Sequence, residues 1–256
     1  MRPVRIARVE RDGQVFYATV EGTLLRRLEG CIFDEVRLTD ETYRLDETRL
    51  LSPVQPSKVV AVGINYADHM EEMKHQKPED PVIFIKPASC VIGPDEPIVR
   101  PPQSARVDYE AELGVVIGQR CQQIGADEAM DYVLGFTCVN DVTARDLQQK
   151  DGQWTRAKGF YTFAPIGPWI ETAFDYTQAD VESRLNGKVC QHSNTRLLMN
   201  PIPKLISFIS QVMTLETGDV IATGTPAGIG PMVAGDVVEI EVEGIGILRN
   251  PVIDRE

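Results

Sequence analysis

Asp108-Tyr109-Glu110-Ala111-Glu112-Leu113-Gly114-Val115-Val116-Ile117 sets two acids two residues apart just before an apolar, β-branched run. A strand projects residues i and i+2 from one face, so Glu110 and Glu112 share a side. The run that follows is too apolar for a freely exposed strand, which places charge beside core. Buried carboxylates need a partner. About thirty residues later, Asn140-Asp141 ends a second apolar strand, just before a polar helix. Glu110, Glu112 and Asp141 together suit a hard cation, and an all-oxygen set favours Mg²⁺ or Mn²⁺ over zinc. Asp108 shares the parity of the glutamates, which admits an additional ligand or an ordinary surface acid, and the surface reading is the one favoured.

Strand signals extend outward on both sides of this stretch. Pro81 to Lys86, Leu113 to Gly118, Val133 to Val139 and Val237 to Val242 carry β-branched or aromatic runs bounded by Gly or Pro. One clear helix follows Asn200-Pro201: Ile202, Leu205, Ile206, Ile209, Val212 and Met213 recur at spacings of three and four, and Gly218-Asp219 ends the segment. Shorter helices are expected at Asp127 to Tyr132 and Thr143 to Lys150. Residues 1–55 read as a separate small β-rich domain, with Asp12-Gly13 as a hairpin dipeptide. Pro53 and Pro56 punctuate the chain before the buried strand Lys58 to Gly63, so residues 56–256 form the second domain. The predicted fold is α+β and β-dominated, with short covering helices and no alternating βαβ sheet.

A chain of 256 residues can bury a sizeable core without disulfide or structural-metal staples. Its net charge of -12 argues against a protein that tracks nucleic-acid phosphates. It does not argue against small anions, because a metal and a few cations reverse the potential of a single cleft. Five cysteines form no C-x-x-C pair, and Met1-Arg2-Pro3-Val4-Arg5 is no signal peptide. No apolar run reaches the ~18 residues of a membrane span. A soluble, cytoplasmic protein with reduced thiols is expected.

Further constellations carry chemistry. In Gly63-Ile64-Asn65-Tyr66-Ala67-Asp68-His69-Met70-Glu71-Glu72, a strand ends at glycine and turns into a short polar helix that sets His69 and Glu72 on one face. A carboxylate bonded to one imidazole nitrogen raises the basicity of the other, as a base for water requires. His75 and His192 have no comparable setting. Lys86, Arg145 and Lys158 are the cations available to an anionic substrate. Lys158 stands out among them because apolar and turn residues follow it, and a partly buried lysine can stabilise an enolate or carboxylate. Thr223-Gly224-Thr225-Pro226-Ala227-Gly228-Ile229-Gly230 lacks both the P-loop ending and the dinucleotide spacing. It reads as a backbone and hydroxyl platform for a carboxylate, with Thr225 foremost.

In order along the chain, G-x-N-Y-x-x-H at 63 to 69, F-x-K-P at 84 to 87, D-Y-E-x-E-L-G at 108 to 114, N-D-V-T-A-R-D-L-Q at 140 to 148, A-K-G-F at 157 to 160 and T-G-T-P-x-G-I-G at 223 to 230 resemble the fumarylacetoacetate hydrolase family. The first fifty-odd residues resemble the small N-terminal domain of many prokaryotic members. The resemblance implies a mixed β-sandwich roll, a homodimer, and Mg²⁺ or Mn²⁺ held by Glu110, Glu112 and Asp141. It also implies a water-activating His69–Glu72 dyad on a lid, Lys158 completing the pocket, and Arg145, Gln148 and Thr225 contacting substrate, with Lys86 a further cation for the anion. The implied activity is hydrolysis of a C–C bond in acylpyruvates or other 2,4-dioxo acids through an enolate. Isomerisation of a 2-hydroxyhepta-2,4-diene-1,7-dioate, decarboxylation of oxaloacetate and non-catalytic binding of a 2-oxo acid are the alternatives. Neither nucleic acid nor membrane is an expected partner. One position departs from the pattern: Tyr161 stands where many members have Asp.

Overall fold

The computed structural model describes residues 5–72 and 78–255, apart from the side chains of His69, Glu71 and Glu72. Strands dominate it, in sheets of twelve, five and three strands among the described residues. The strand Ala111–Ile117 lies inside the largest sheet, antiparallel to Val133–Asn140 on one side and to Val220–Ala222 on the other. Every residue of Ala111–Ile117 is buried. Alternate side chains explain this. Ala111, Leu113, Val115 and Ile117 face a core shared with Val181, Val238, Ile240 and Leu248 of the five-stranded sheet, while Val116 packs with Ile6, Val59 and Ile170. A strand covered on both faces reads as a continuous apolar run, as this one does.

The first strands form an antiparallel meander, Arg5–Arg11, Gln14–Glu21, Leu24–Gly30 and Val36–Arg44. Asp12 and Gly13 both take positive φ (52° and 76°), as a two-residue hairpin requires, so the dipeptide fixes the Arg11↔Gln14 register. Arg5 and Ile6 pair with Glu171 and Ile170, which makes the meander continuous with the large sheet. The expected boundary near residue 55 therefore falls within one hydrogen-bonded sheet.

The expected long helix runs Ile202–Val212 and buries Ile202, Leu205, Ile206 and Ile209. Val212 departs from the anticipated stripe and is 58% exposed. Two shorter expectations need correction. Asp127 to Tyr132 supplies only a 3₁₀ turn, Ala129–Tyr132. The helix expected from Thr143 begins at Arg145, because Thr143 and Ala144 pair with Asp108 and Val107 instead.

Candidate active site

The site sits where the chain passes between sheets. Val107–Tyr109 belongs to the three-stranded sheet and Ala111–Ile117 to the large one, so Glu110 is the residue at the crossing. Val133–Asn140 and Thr143–Ala144 cross in the opposite sense at Asp141 and Val142. The Asp141 N–H donates to the Glu110 carbonyl (2.9 Å) and ties the crossings together. The single uninterrupted strand expected to carry both glutamates is thus two strands that meet at Glu110. Glu110, Glu112 and Asp141 still converge: each is at most 4% exposed, and one carboxylate oxygen from each lies within 4.8 Å of the others.

Hydrogen bonds orient each acid. Glu110 accepts from the Thr143 hydroxyl (3.0 Å), from Arg145 and from Lys158 Nζ (2.8 Å). Asp141 accepts from Lys86 Nζ and Lys158 Nζ (2.6 Å to the latter). Glu112 accepts from the Gly224 N–H (2.8 Å). Gly224 has φ +103°, and a Cβ there would lie 2.7 Å from the Asn65 side chain, so only glycine places this N–H against the carboxylate. Burial, reinforced by Asp141 and Glu110, holds the Glu112 carboxyl well above the usual carboxylate range. Burial opposes the charge on Lys158, but Asp141 and Glu110 outweigh it and the ammonium is held more firmly than usual.

Three buried cations (Lys86, Arg145, Lys158) meet four buried acids, Asp108, Glu110, Glu112 and Asp141, while half-exposed Arg106 reaches Asp108 from outside. The acid set fits a divalent cation. Its oxygens converge, its members are oriented, and Glu112, whose ionisation burial opposes, offers a carboxyl that no side-chain cation contacts among the described residues. With such a cation added, the balance of the cleft turns positive and favours an anion.

Above the acids, the cleft has an apolar side of Val62, Ile64, Phe84 and Trp154 and a polar side of Arg145, Gln148, Lys158 and Thr225. Trp154 sits against Gly63, where a Cβ would meet its ring at 2.6 Å. Ile64 has φ 56°, an uncommon conformation for a β-branched residue, and turns the chain at the end of Lys58–Gly63. Lys158 Nζ lies 5.0 Å over the Phe84 ring. Arg145 donates to Gln148 Oε1 (2.6 Å), which directs the Gln148 amide nitrogen away from the guanidinium. The Thr225 hydroxyl donates to the Ala111 carbonyl (2.9 Å), so toward a ligand it can only accept.

The structure therefore brings together Glu110, Glu112, Asp141, Lys158, Arg145, Gln148 and Thr225. Lys86 stands apart from the cleft lining: fully buried, it lies behind Asp141 and also donates to the Val142 carbonyl (3.1 Å). His69 and Glu72 fall on the helix Ala67–Glu72, but their side chains, like the whole of His75, lie outside the described residues. His192 is on a peripheral strand beside Glu182. Asp108 is not a surface acid. It is fully buried, accepting from Arg106 Nε (2.8 Å) and Arg145 Nε (2.9 Å). Tyr161 is 69% exposed, and the carboxylates at Lys158 come from Glu110 and Asp141. Gln191 and Trp154 belong to no charged pattern and are not singled out by sequence, and Phe84 enters only as the first residue of F-x-K-P.

Comparison with known proteins identifies the family of the chain. Residues 58–253 match the family model described as fumarylacetoacetate (FAA) hydrolase C-terminal, and residues 4–53 match Rv2993c-like, N-terminal. The crystal structure of 2-hydroxyhepta-2,4-diene-1,7-dioate isomerase from Mycobacterium marinum is 42% identical, with a TM-score of 0.92 over 98% of this chain and 99% of that one. Oxaloacetate tautomerase Fahd2a, mitochondrial, of Rattus norvegicus is 42% identical over 81% of this chain and 70% of its own. A maleylpyruvate hydrolase from Sphingobium, crystallised with manganese(II) and pyruvate, is 28% identical, with a TM-score of 0.83 over 98% of this chain and all of that one.

Proposed function

The chain belongs to the fumarylacetoacetate hydrolase family, and from that premise we propose that it is a divalent-cation-dependent enzyme that converts 2-oxo acids through their enolates. The observation that carries this reading is the convergence of Glu110, Glu112 and Asp141 beside a charged, buried Lys158. Mg²⁺ or Mn²⁺ held by the three carboxylates would supply Lewis acidity toward the carboxylate and adjacent carbonyl oxygens of the substrate. Lys158 balances negative charge as it develops on those oxygens. Arg145 and the Gln148 amide nitrogen donate to a substrate carboxylate, and the Thr225 oxygen accepts from a substrate hydroxyl or water. Phe84 and Trp154 exclude water along the other wall. Lys86 acts from behind, fixing the orientation of Asp141.

Two routes through an enolate distinguish the readings. Relocating a proton gives isomerisation or tautomerisation. Attack of water on the distal carbonyl of a 2,4-dioxo acid, with His69, oriented by Glu72, as the base, gives C–C hydrolysis: the distal acyl group leaves as a carboxylic acid and the enolate of the 2-oxo acid is expelled, to be protonated at carbon 3. The isomerase and tautomerase relatives, each 42% identical, favour the first, with an unsaturated 2-oxo diacid or oxaloacetate as substrate. Hydrolysis is the second reading, supported by the hydrolase at 28% identity. Decarboxylation of oxaloacetate, which releases CO₂ and leaves the enolate of pyruvate to be protonated, would use the same enolate-stabilising site. In the domain division we propose, residues 1–55 form a small N-terminal β-rich domain and residues 56–256 the catalytic domain, and the assembly is a homodimer.

A panel of oxaloacetate, unsaturated 2-oxo diacids and acylpyruvates, followed by enol absorbance with Mg²⁺, Mn²⁺ or EDTA, tests the proposal. Metal-dependent conversion of oxaloacetate or an unsaturated 2-oxo diacid is expected. Turnover confined to acylpyruvates would move the conclusion to hydrolysis. No turnover of any 2-oxo acid would leave a binding protein.

A further inference from the structure

Ala111, between the two glutamates, has a backbone requirement that no strand meets. Along Ala111–Ile117 the odd-numbered residues point their N–H and C=O groups toward the Val220–Ala222 side, as the Thr223 N–H to Leu113 carbonyl bond shows (3.1 Å). That ladder registers only Gly114 to Val116, and the chain turns away at Gly224. Ala111 lies beyond its end, fully buried. An N–H and C=O left unpaired there would each be desolvated with no hydrogen bond to offset the loss.

Gln191 and Thr225 take the place of the missing strand. Gln191 comes from Lys188–Asn194 in the five-stranded sheet and is fully buried. Its Oε1 accepts from the Ala111 N–H (3.0 Å), and its Nε2 donates to Thr225 Oγ1 (2.8 Å) and to the Pro226 carbonyl (2.8 Å). Thr225 Oγ1 closes the bracket by donating to the Ala111 carbonyl (2.9 Å). Every hydrogen-bonding direction of the Gln191 amide nitrogen is used, and its oxygen holds the one peptide N–H between Glu110 and Glu112.

We propose that Gln191 is a positioning residue for the cation site. By fixing the Ala111 peptide it sets the relative placement of Glu110 and Glu112, and through Thr225 it joins the cleft to the five-stranded sheet. This inference rests on the proposed function for the cation but not for the substrate. It differs from a core hydrogen bond in what its loss does. A core bond contributes stability alone, whereas a bracket between two ligands also sets their affinity for the ion.

The test uses the full chain, with Mn²⁺ as probe. Calorimetric titration of Gln191→Met, close in shape but unable to make these bonds, should show Mn²⁺ affinity reduced about tenfold, within the range for residues that orient metal ligands. The EPR spectrum of the bound ion should change as its ligand geometry relaxes. Thr225→Val, which removes the other arm, should weaken the ion less. The double variant should be no weaker than Gln191→Met alone, because both act through one bracket. If Gln191→Met does not fold, Thr225→Val and its EPR spectrum read the same bracket. A lower melting midpoint with Mn²⁺ affinity and spectrum unchanged would overturn the proposal and leave a structural bond. Wild-type protein that binds no Mn²⁺ would overturn the cation reading itself, and the positioning role with it.

Discussion

The short strand Val220–Ala222 has a buried acid bonded at each end, and the two are treated in opposite ways. At its start, Asp219 is fully buried and accepts from the Ser57 N–H (3.0 Å), the Ser57 hydroxyl (2.7 Å), the Lys58 N–H (3.2 Å), the Glu216 N–H (2.9 Å) and the Lys58 ammonium. Beyond its end, Glu112 accepts from Gly224 N–H and faces the charges of Asp141 and Glu110. A carboxylate saturated by donors and a cation is a clamp; here it secures the segment entering Lys58–Gly63. A carboxylate supplied with one donor and two like charges has capacity for a metal ion. The same residue chemistry thus serves stability at one end and, in the function we propose, cation binding at the other.

The strongest way to break this contrast is to neutralise each acid in turn. Glu112→Gln should abolish Mg²⁺ and Mn²⁺ binding in calorimetry and leave the melting midpoint unchanged or higher, because a carboxyl whose ionisation burial opposes is replaced by a neutral amide. Asp219→Ala should do the reverse. It should cost about 3–5 kcal/mol in denaturant unfolding, as loss of one partner of a buried pair does, with metal affinity retained. If both variants lose both properties, the distinction between clamp and site fails.

Smaller effects sharpen the contrast. Asp108→Asn weakens the hold on Arg145 without touching a carboxylate of the cation set, and kcat/KM should fall roughly tenfold with metal affinity within about twofold of wild type. The smallest effect is on pH dependence. The carboxyl of Glu112 is raised in the fold, so the unfolded chain releases this proton first. The metal-free protein should lose stability as pH rises from the ordinary glutamate range through the raised folded value, then level off. Glu112→Gln should remove that part of the slope, and saturating Mg²⁺ should reverse it.

Much of this was legible in sequence wherever the cause is local. The Asp12-Gly13 turn, the apolar spacing of Ile202 to Ile209 and the Glu110-x-Glu112 pair each carry their reason within a few residues. What escaped depends on partners far along the chain. Asp108 looked like a surface acid because Arg145, which makes its burial tolerable, lies 37 positions away. Lys86 and Lys158 look alike as letters, yet one stands behind Asp141 and the other in the cleft, between Glu110 and Asp141. Gln191 is neutral, belongs to no motif and meets Ala111 from 80 positions away. The break at Glu110 follows from the three-stranded sheet capturing Val107–Tyr109, a tertiary event that strand periodicity does not register.

The central claim, that this cleft stabilises the enolate of a 2-oxo acid at a divalent cation, is tested most directly by proton exchange at carbon 3. Pyruvate or another non-cleavable 2-oxo acid is followed by NMR in D₂O with the protein and Mg²⁺ or Mn²⁺, so enolate formation is read whatever its later fate. Deuterium incorporation that needs the metal, stops with EDTA and is lost in Glu112→Gln is the expected result. Substrate protons that remain unexchanged with the metal bound would contradict it.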